Sequence, residues 1–119
     1  MSEDDEPSNF VVRFSPEARL NALTITQELP TASSAIALYR EFEAMAGKLA
    51  FLPERHMVQQ ELSEQLGRTV RRLLVRRWNL YYEVVPDSLD GPMVKILFIR
   101  DSRLPLLTQE EADQIQTNL

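Results

Sequence analysis

Apolar residues recur at helical spacing near the middle of the chain. Leu38, Phe42, Met45, Leu49 and Leu52 lie four, three, four and three residues apart, so one side of a helix would carry all five. Proline is poorly tolerated inside a helix, and the pattern therefore predicts a helix that ends at the next proline, Pro53.

A strand and another helix are predicted before this segment. Residues 10–14 are rich in β-branched and aromatic side chains, which favours a strand. Ser15, Pro16 and Glu17 then supply an N-cap, a proline at the first helical position and an acid suited to the helix dipole. This helix is expected to run from Pro16 to about Leu29 and to form an antiparallel hairpin with the next helix. The side chains expected on its buried side are those of Ala18, Ala22, Leu23 and Thr26.

After residue 69 the apolar period changes to two. Residues 77–84 alternate polar and apolar side chains, with Trp78 on the apolar parity and Tyr81 on the polar one, which predicts a half-buried strand with Trp78 in the core. Residues 86–92 are dense in turn formers, and residues 93–99 form a further apolar run. The pattern predicts a β-hairpin with a loop of about six or seven residues.

The C-terminal region predicts one more helix. Thr108 and Glu111 are spaced as a capping box, and an apolar side follows. Between Pro53 and Gly67 the chain is polar; a short helical turn fits the sequence there, but the pattern does not specify one.

Taken in order, these elements predict an α+β fold. An N-terminal strand and a helical hairpin would pack on a twisted, mostly antiparallel sheet, with a short helix at the C-terminus. A chain of 119 residues suits one domain, which we expect at residues 10–119. Residues 1–9 combine acids, Pro7 and Ser8 without an apolar anchor and are expected to form a disordered, solvated tail.

Composition restricts the class of protein. The chain has no cysteine, which suits a reducing compartment, and its acidic start is the opposite of a secretory signal. No apolar run approaches the length of a membrane span. A cytoplasmic location is therefore expected.

Basic charge is concentrated in one stretch. Residues 65–103 hold eight Lys and Arg against four acids, whereas residues 1–64 hold five against eleven and the chain as a whole has a net charge of −5. Arginines crowded onto a small surface repel one another unless an anionic group binds them. This stretch is therefore the first candidate for a binding function. The overall acidity argues against diffuse binding to nucleic acid.

The order of these pieces resembles the RelE/ParE superfamily of bacterial type II toxins, also called plasmid-stabilisation proteins. The similarity covers roughly residues 10–107. The matching segments are residues 12–18 (VRFSPEA), 49–53 (LAFLP), 61–62 (EL), 70–75 (VRRLLV), 77–84 (RWNLYYEV) and 96–99 (ILFI).

This resemblance implies a small toxin that a cognate antitoxin neutralises by wrapping around it. RelE-like members cleave messenger RNA on the ribosome, while ParE-like members poison DNA gyrase and are not nucleases. The family often carries a His-Gly-Arg type segment after its last strand, but this chain has Asp101, Ser102 and Arg103 there, and no tyrosine follows Tyr82. Cleavage needs a base and an acid as well as cations. The departures therefore favour a ParE-like or general RelE/ParE toxin that binds a gyrase-like target. The alternatives are a RelE-type ribosome-dependent endoribonuclease and a diverged relative without toxicity.

Four arginines are the candidates for binding the target or the antitoxin. Guanidinium groups hold phosphate and carboxylate in paired hydrogen bonds, and a shared register would bring these side chains into one cationic surface. The competing interpretation is that Arg72 and Arg77 simply pair with Glu61, Glu64 or Glu83 on the surface. The four residues are Arg72, Arg77, Arg100 and Arg103.

Catalytic residues are less clearly indicated, and an enzymatic activity is not expected. If the protein is a nuclease, Glu61 or Tyr81 would transfer protons, and the phosphates would be held by Arg72, Arg77 and Arg103. The competing interpretations are a solvated helix face for Glu61 with Glu64, and a covering role at the sheet for Tyr81.

No cofactor is expected from the sequence. His56 has no second histidine or cysteine beside it, so a metal site is not predicted. The three glycines are scattered and form neither a phosphate loop nor a dinucleotide motif. The resemblance implies that the partners are macromolecules: an antitoxin, and gyrase or the ribosome as target.

Overall fold

A computed structural model describes residues 9–119 of the chain. Its helices are α1 (Pro16–Gln27), α2 (Ala32–Gly47), α3 (Gln60–Leu66) and α4 (Gln109–Thr117), and its strands are β1 (Val11–Phe14), β2 (Arg71–Val75), β3 (Trp78–Val85) and β4 (Met93–Asp101). Short 3₁₀ turns occupy Lys48–Ala50 and Pro53–Arg55. The expected α+β fold is confirmed. The acidic tail expected at residues 1–9 lies outside the described residues except for Asn9, which is exposed.

The four strands form one mixed sheet in the order β1-β4-β3-β2. β3 runs antiparallel to both β2 and β4, and β1 runs parallel to β4. The loop at residues 86–92 joins β3 to β4 as the sequence predicts. The sheet is therefore mostly antiparallel, with the first strand of the chain placed beside the last.

Ser15 fixes the start of α1 against the sheet. Its hydroxyl accepts a hydrogen bond from the Ala18 amide at 3.0 Å and donates one to the Leu97 carbonyl at 2.6 Å. Ala18, Ala22 and Thr26 are buried as expected, but the prediction for Leu23 is wrong, since 49% of it is exposed. The helix ends at Gln27, two residues earlier than predicted.

The predicted apolar stripe is confirmed as far as Leu49, but α2 ends at Gly47 and not at Pro53 as predicted. Leu38, Phe42 and Leu49 are buried, and Met45 packs against the same core. The prediction for Leu52 is wrong, because 58% of it is exposed. The helical phase is lost after Gly47, where the chain enters a 3₁₀ turn, and Leu52 itself has a left-handed backbone with a φ of 47°.

Both faces of the sheet are covered. The helical hairpin lies on the first face, where Leu80 and Tyr82 of β3 are fully buried. On the second face, α3 and α4 cover a smaller core, and the Thr108 capping box that starts α4 is present. This second core consists of Leu62, Leu66, Val70, Leu97, Phe98, Leu107 and Ala112.

This second layer corrects the prediction of a half-buried β3. Trp78 is in the first core as predicted, but Asn79 on the polar parity is only 4% exposed. A register shift also occurs opposite Tyr81 and Tyr82, which pair with Phe98 and Ile96 and leave Leu97 as the extra residue of a bulge. The alternation of polar and apolar residues in β3 therefore predicts the face covered by the helical hairpin, but it does not show that the opposite face is covered too.

Within residues 9–119, none of the helices combines the length and the apolar character that crossing a membrane requires.

Candidate functional site

Arg77 and Arg103 meet at a single carboxylate. Asp101, at the end of β4, lies 3.5 Å from Arg77 and 2.8 Å from Arg103. Arg103 also donates its backbone amide and its Nε to the same side chain, at 2.9 and 3.1 Å. These bonds from Arg103, assisted by the charge of Arg77, lower the pKa of Asp101 to about 2. Two guanidinium groups thus share one acid on an exposed corner of the molecule.

Arg77 is further held by an aromatic ring. Its guanidinium carbon lies 4.7 Å from the centroid of the Trp78 ring, within the range of a cation–π contact. Trp78 is directly opposite Asp101 in the β3–β4 register. The register of β3 and β4 therefore brings Trp78, and with it the neighbouring Arg77, to Asp101.

Arg100 connects β4 to the C-terminal segment. It lies 3.4 Å from Glu111 of α4 and donates a hydrogen bond to the Pro105 carbonyl at 3.0 Å. Its Nε atom is buried and has no hydrogen-bond partner among the described residues. These contacts tie the chain after β4 to the second face of the sheet.

Arg72 is on β2, exposed, and directly opposite Tyr81. It forms no ion pair with residues 9–119, whereas Glu83, a partner considered for it, binds Arg68 at 2.5 Å. The candidate arginines therefore divide into the Asp101 pair, Arg100 with Glu111, and Arg72 alone. Three of the four thus already contact carboxylates of their own chain.

A shallow groove of about 330 Å³ runs between α1 and the end of β4. We call it the α1–β4 groove. Arg77 and Arg100 line it, and Leu20 and Leu104 contribute apolar side chains that are 56% and 53% exposed. The groove also contains Trp78 and Asp101. An apolar surface and arginine side chains are thus presented together.

A second depression, of about 200 Å³, lies between α3 and the segment before α4. We call it the α3 depression. Two of the three catalytic candidates, Glu61 and Tyr81, line it together with Leu62 and Leu106. Arg100 and Tyr81 line a smaller pocket beside it. A carboxylate, a phenol and a guanidinium therefore lie along one side of the sheet, while Arg77 lines the other groove.

Tyr81 is held in place by aromatic stacking. Its ring lies against Phe98 with centroids 4.7 Å apart and planes at 27°. Its hydroxyl oxygen accepts a hydrogen bond from the Asn79 amide at 3.2 Å. The ring thus covers part of the second core, while one edge of the side chain lines the depression.

His56 packs edge-on against Tyr82, with ring centroids 6.2 Å apart. Burial and the charges of Arg55 and Arg71 lower the pKa of His56. Among residues 9–119 no group of three or more His, Asp or Glu side chains is arranged to hold a metal ion.

The sequence analysis missed the role of Asp101. An aspartate that accepts a hydrogen bond from the backbone two residues later is a common turn, and Asp101 and Arg103 have this spacing. It also missed the exposed Leu20 and Leu104, because only the folded chain brings α1 beside the residues after β4.

No protein-family model matches the chain, and a search of curated proteins finds no match.

Proposed function

We propose that this protein is the toxin of a bacterial type II toxin–antitoxin system, of the ParE-like or general RelE/ParE type. In this proposal it acts in the cytoplasm by binding a gyrase-like macromolecular target, and a cognate antitoxin silences it. The α1–β4 groove is the observation that carries the proposal. Leu20 and Leu104 stand more than half exposed beside Arg77 and Arg100.

The groove suits an amphipathic acidic segment of a protein. Exposed apolar side chains would bind the apolar side of a partner helix, and guanidinium groups would pair with its carboxylates. Asp101 already forms ion pairs with both Arg77 and Arg103, so this corner carries one acid for two cations. An acidic antitoxin tail would supply a second carboxylate to the two guanidinium groups that share Asp101.

The first experiment is induction of the chain in a bacterial host, with and without the product of the neighbouring reading frame. The proposal expects growth arrest with altered DNA supercoiling and intact transcripts, and rescue by a neighbour that has a DNA-binding head and an acidic amphipathic tail. Harmless expression without any antitoxin would instead identify a non-toxic, diverged relative and would refute the proposal.

The role of the groove is tested by matched charge insertions. Leu20→Glu would repel an acidic partner and should weaken antitoxin binding at least tenfold. Ile36→Glu on α2 is the control, since Ile36 is 52% exposed, close to the 56% of Leu20, but lies outside the groove. Equal losses in both variants would contradict the assignment of the groove.

One observation favours a second candidate function, that of a ribosome-dependent endoribonuclease. Glu61 and Tyr81 line the same α3 depression, which brings a possible base and acid together near Arg100. Arg72, opposite Tyr81, would bind phosphate in this mechanism.

The nuclease is tested on ribosome-bound message with two neighbouring variants. Glu61→Gln should reduce cleavage by about a hundredfold or more, the usual contribution of general acid–base catalysis. Glu64→Gln on the same helix is the control, because Glu64 does not line the depression. Absence of cleavage by the unmodified protein would exclude this candidate.

A further inference from the structure

The α1–β4 groove continues between α1 and α4. A further cavity, of about 380 Å³, lies between α1, β4 and α4. It shares four lining residues with the groove, so the two adjoin and form one continuous depression; these residues are Leu20, Asn21, Ile99 and Arg100. We call the added part, which Glu17 and Glu111 line, the α4 end, and the part beside Trp78 the Arg77 end.

The joined groove follows α1 along its whole length. Glu17 lines the α4 end, and Glu28, which directly follows α1, lines the Arg77 end. At a rise of 1.5 Å per residue, these two positions are roughly 16 Å apart. A helix of about 11 or 12 residues, three turns, spans this distance. Apolar side chains line the groove at both ends, so an amphipathic helix is the segment that fits it; they are Trp78, Ile25, Leu104, Leu20, Ile99, Phe98 and Ile115.

Glu17 places a negative charge at the α4 end. Its carboxylate accepts hydrogen bonds from the side-chain amides of Asn21 and Asn118, at 2.8 and 3.2 Å. Both donors are neutral, and Glu17 forms no ion pair within residues 9–119. The fold therefore holds this carboxylate in position without cancelling its charge.

Glu111 adds a second carboxylate at the same end. It accepts a hydrogen bond from the Thr108 amide at 3.0 Å, and it lies 3.4 Å from Arg100, the only Lys or Arg among the described residues that line this cavity. The hydrogen bond from Thr108 lowers the pKa of Glu111, so the group is ionised at neutral pH. The α4 end therefore carries two carboxylates for one guanidinium.

The charge balance is different at the Arg77 end. Arg77 and Arg103 lie beside Asp101, and Glu28 is the other acid that lines this end. Cations and acids are equal in number here, whereas acids are in excess at the α4 end. The groove therefore becomes more negative from the Arg77 end toward the α4 end.

We propose that the segment bound in this groove is an amphipathic helix of about three turns with unlike ends: its carboxylates lie at the Arg77 end, and basic side chains lie beside Glu17 and Glu111. The acidic part of this segment rests on the proposed function, and the length, the direction and the basic end are new. The reversed helix would place like charges together, so the groove selects one direction of binding. A uniformly acidic helix binds less tightly, because its far end meets two carboxylates.

Two synthetic peptides of about 12 residues test this charge pattern on the unmodified, full-length protein. Both peptides carry leucines at helical spacing and glutamates in the first half. The second half carries lysines in one peptide and glutamates in the other. Isothermal titration calorimetry at about 0.1 M salt should show about tenfold tighter binding of the peptide with lysines, and this preference should shrink at about 1 M salt, where charges are screened within roughly 3 Å.

A nitroxide on the peptide measures the direction of binding. The protein has no cysteine, so a label on a single cysteine of the peptide is the only thiol label in the sample. A label at the lysine end should broaden the amide signals of Gln114 and Asn118, which line the α4 end, and leave those of Arg77 and Trp78 unchanged. A label at the glutamate end should do the reverse.

Amide variants of the protein identify the carboxylates responsible. E17Q combined with E111Q should abolish the preference for the lysine peptide, since the amides keep an acceptor oxygen but lose the charge. E43Q is the control and should retain the preference, because Glu43 is exposed on α2 and outside the groove.

The outcomes separate this inference from the proposed function. Equal affinities of the two peptides for the unmodified protein, or broadening of Trp78 by the label at the lysine end, would overturn the charge order and leave the toxin proposal standing. Binding of neither peptide would overturn the inference together with the assignment of the groove. A clear preference for the lysine peptide, in a protein that causes no growth arrest when induced, would support the inference and refute the toxin function.

Discussion

Tyr81 and Phe98 stack with their ring centroids 4.7 Å apart, joining β3 to β4 on the second face of the sheet. The tyrosine hydroxyl faces Asn79, whose amide donates to it at 3.2 Å. The same side chain lines the α3 depression. Substitutions that remove only the hydroxyl or the whole ring of Tyr81 therefore measure its contribution to stability apart from any role in catalysis.

Tyr81→Phe should destabilise the fold only slightly, by about 0.5–1.5 kcal/mol, because the stack remains and one hydrogen bond is lost. Tyr81→Ala should cost more, about 2–4 kcal/mol, because the ring contact with Phe98 is removed. Urea denaturation of the two variants gives both values. Tyr39→Phe is the control, since no hydrogen bond from the Tyr39 hydroxyl is present among the described residues, and equal costs at positions 39 and 81 would contradict the assignment.

Tyr82 should make stability depend on pH in the alkaline range. It is fully buried and donates to the Pro53 carbonyl at 2.6 Å, and burial raises its pKa to about 12. The unfolded chain releases the same proton near pH 10, so the folded state binds more protons between about pH 10 and 12. The stabilisation is complete below about pH 10 and is lost as the pH rises through that range.

The matching variant is Tyr82→Phe. At about pH 8 it should be less stable by about 1–3 kcal/mol, because the Pro53 carbonyl loses its donor. Its stability should then fall less steeply toward alkaline pH, since the titrating group is gone. Denaturation curves at about pH 8 and about pH 11 provide the measurement. Parallel losses in both proteins would show that another group causes the dependence.

The sequence predicted most of the fold because its signals were local. The N-cap at Ser15, the capping box at Thr108 and the apolar stripe from Leu38 each depend on residues within a few positions; the first two are confirmed, and the stripe is confirmed as far as Leu49. The predictions that Leu23 and Leu52 would be buried were wrong for a physical reason. Periodicity reports which side chains could share a face, but the width of the contact and the point where the helical phase ends are set by packing.

The candidate site was less predictable because long-range register determines it. Arg76 binds Glu41 across 35 positions of sequence, and Arg100 binds Glu111 of the terminal helix. No local pattern indicates such pairs. The sequence likewise gave no sign that Arg77 and Arg103 would share Asp101, since this depends on Trp78 lying opposite Asp101.

Ser15 should prove more important than an ordinary helix cap. Ser15→Ala removes both the cap to Ala18 and the buried bond to the Leu97 carbonyl, and should cost about 2–3 kcal/mol. Thr31→Ala is the matched control, because Thr31 caps α2 through the Ser34 amide at an exposed site and should cost only about 1 kcal/mol. Thermal or urea denaturation distinguishes the two, and similar costs would mean that the Leu97 bond adds nothing.

Asp101 should make the stability of the folded protein depend on pH in the acid range. Its pKa is lowered to about 2, so the folded state releases a proton that the unfolded chain still holds near pH 4. The resulting stabilisation is present above about pH 4 and is lost as the pH falls toward 2. Asp101→Asn should therefore flatten the acid limb of stability against pH, and it should also leave Arg77 and Arg103 without their shared carboxylate. Asp87→Asn is the control in the exposed loop between β3 and β4.

Since freed guanidinium groups attract carboxylates, an acidic amphipathic peptide should bind the Asp101→Asn protein more tightly than the unmodified one, with a steeper dependence on salt. Unchanged binding together with a flattened acid limb would separate the structural role of Asp101 from any role in recognition.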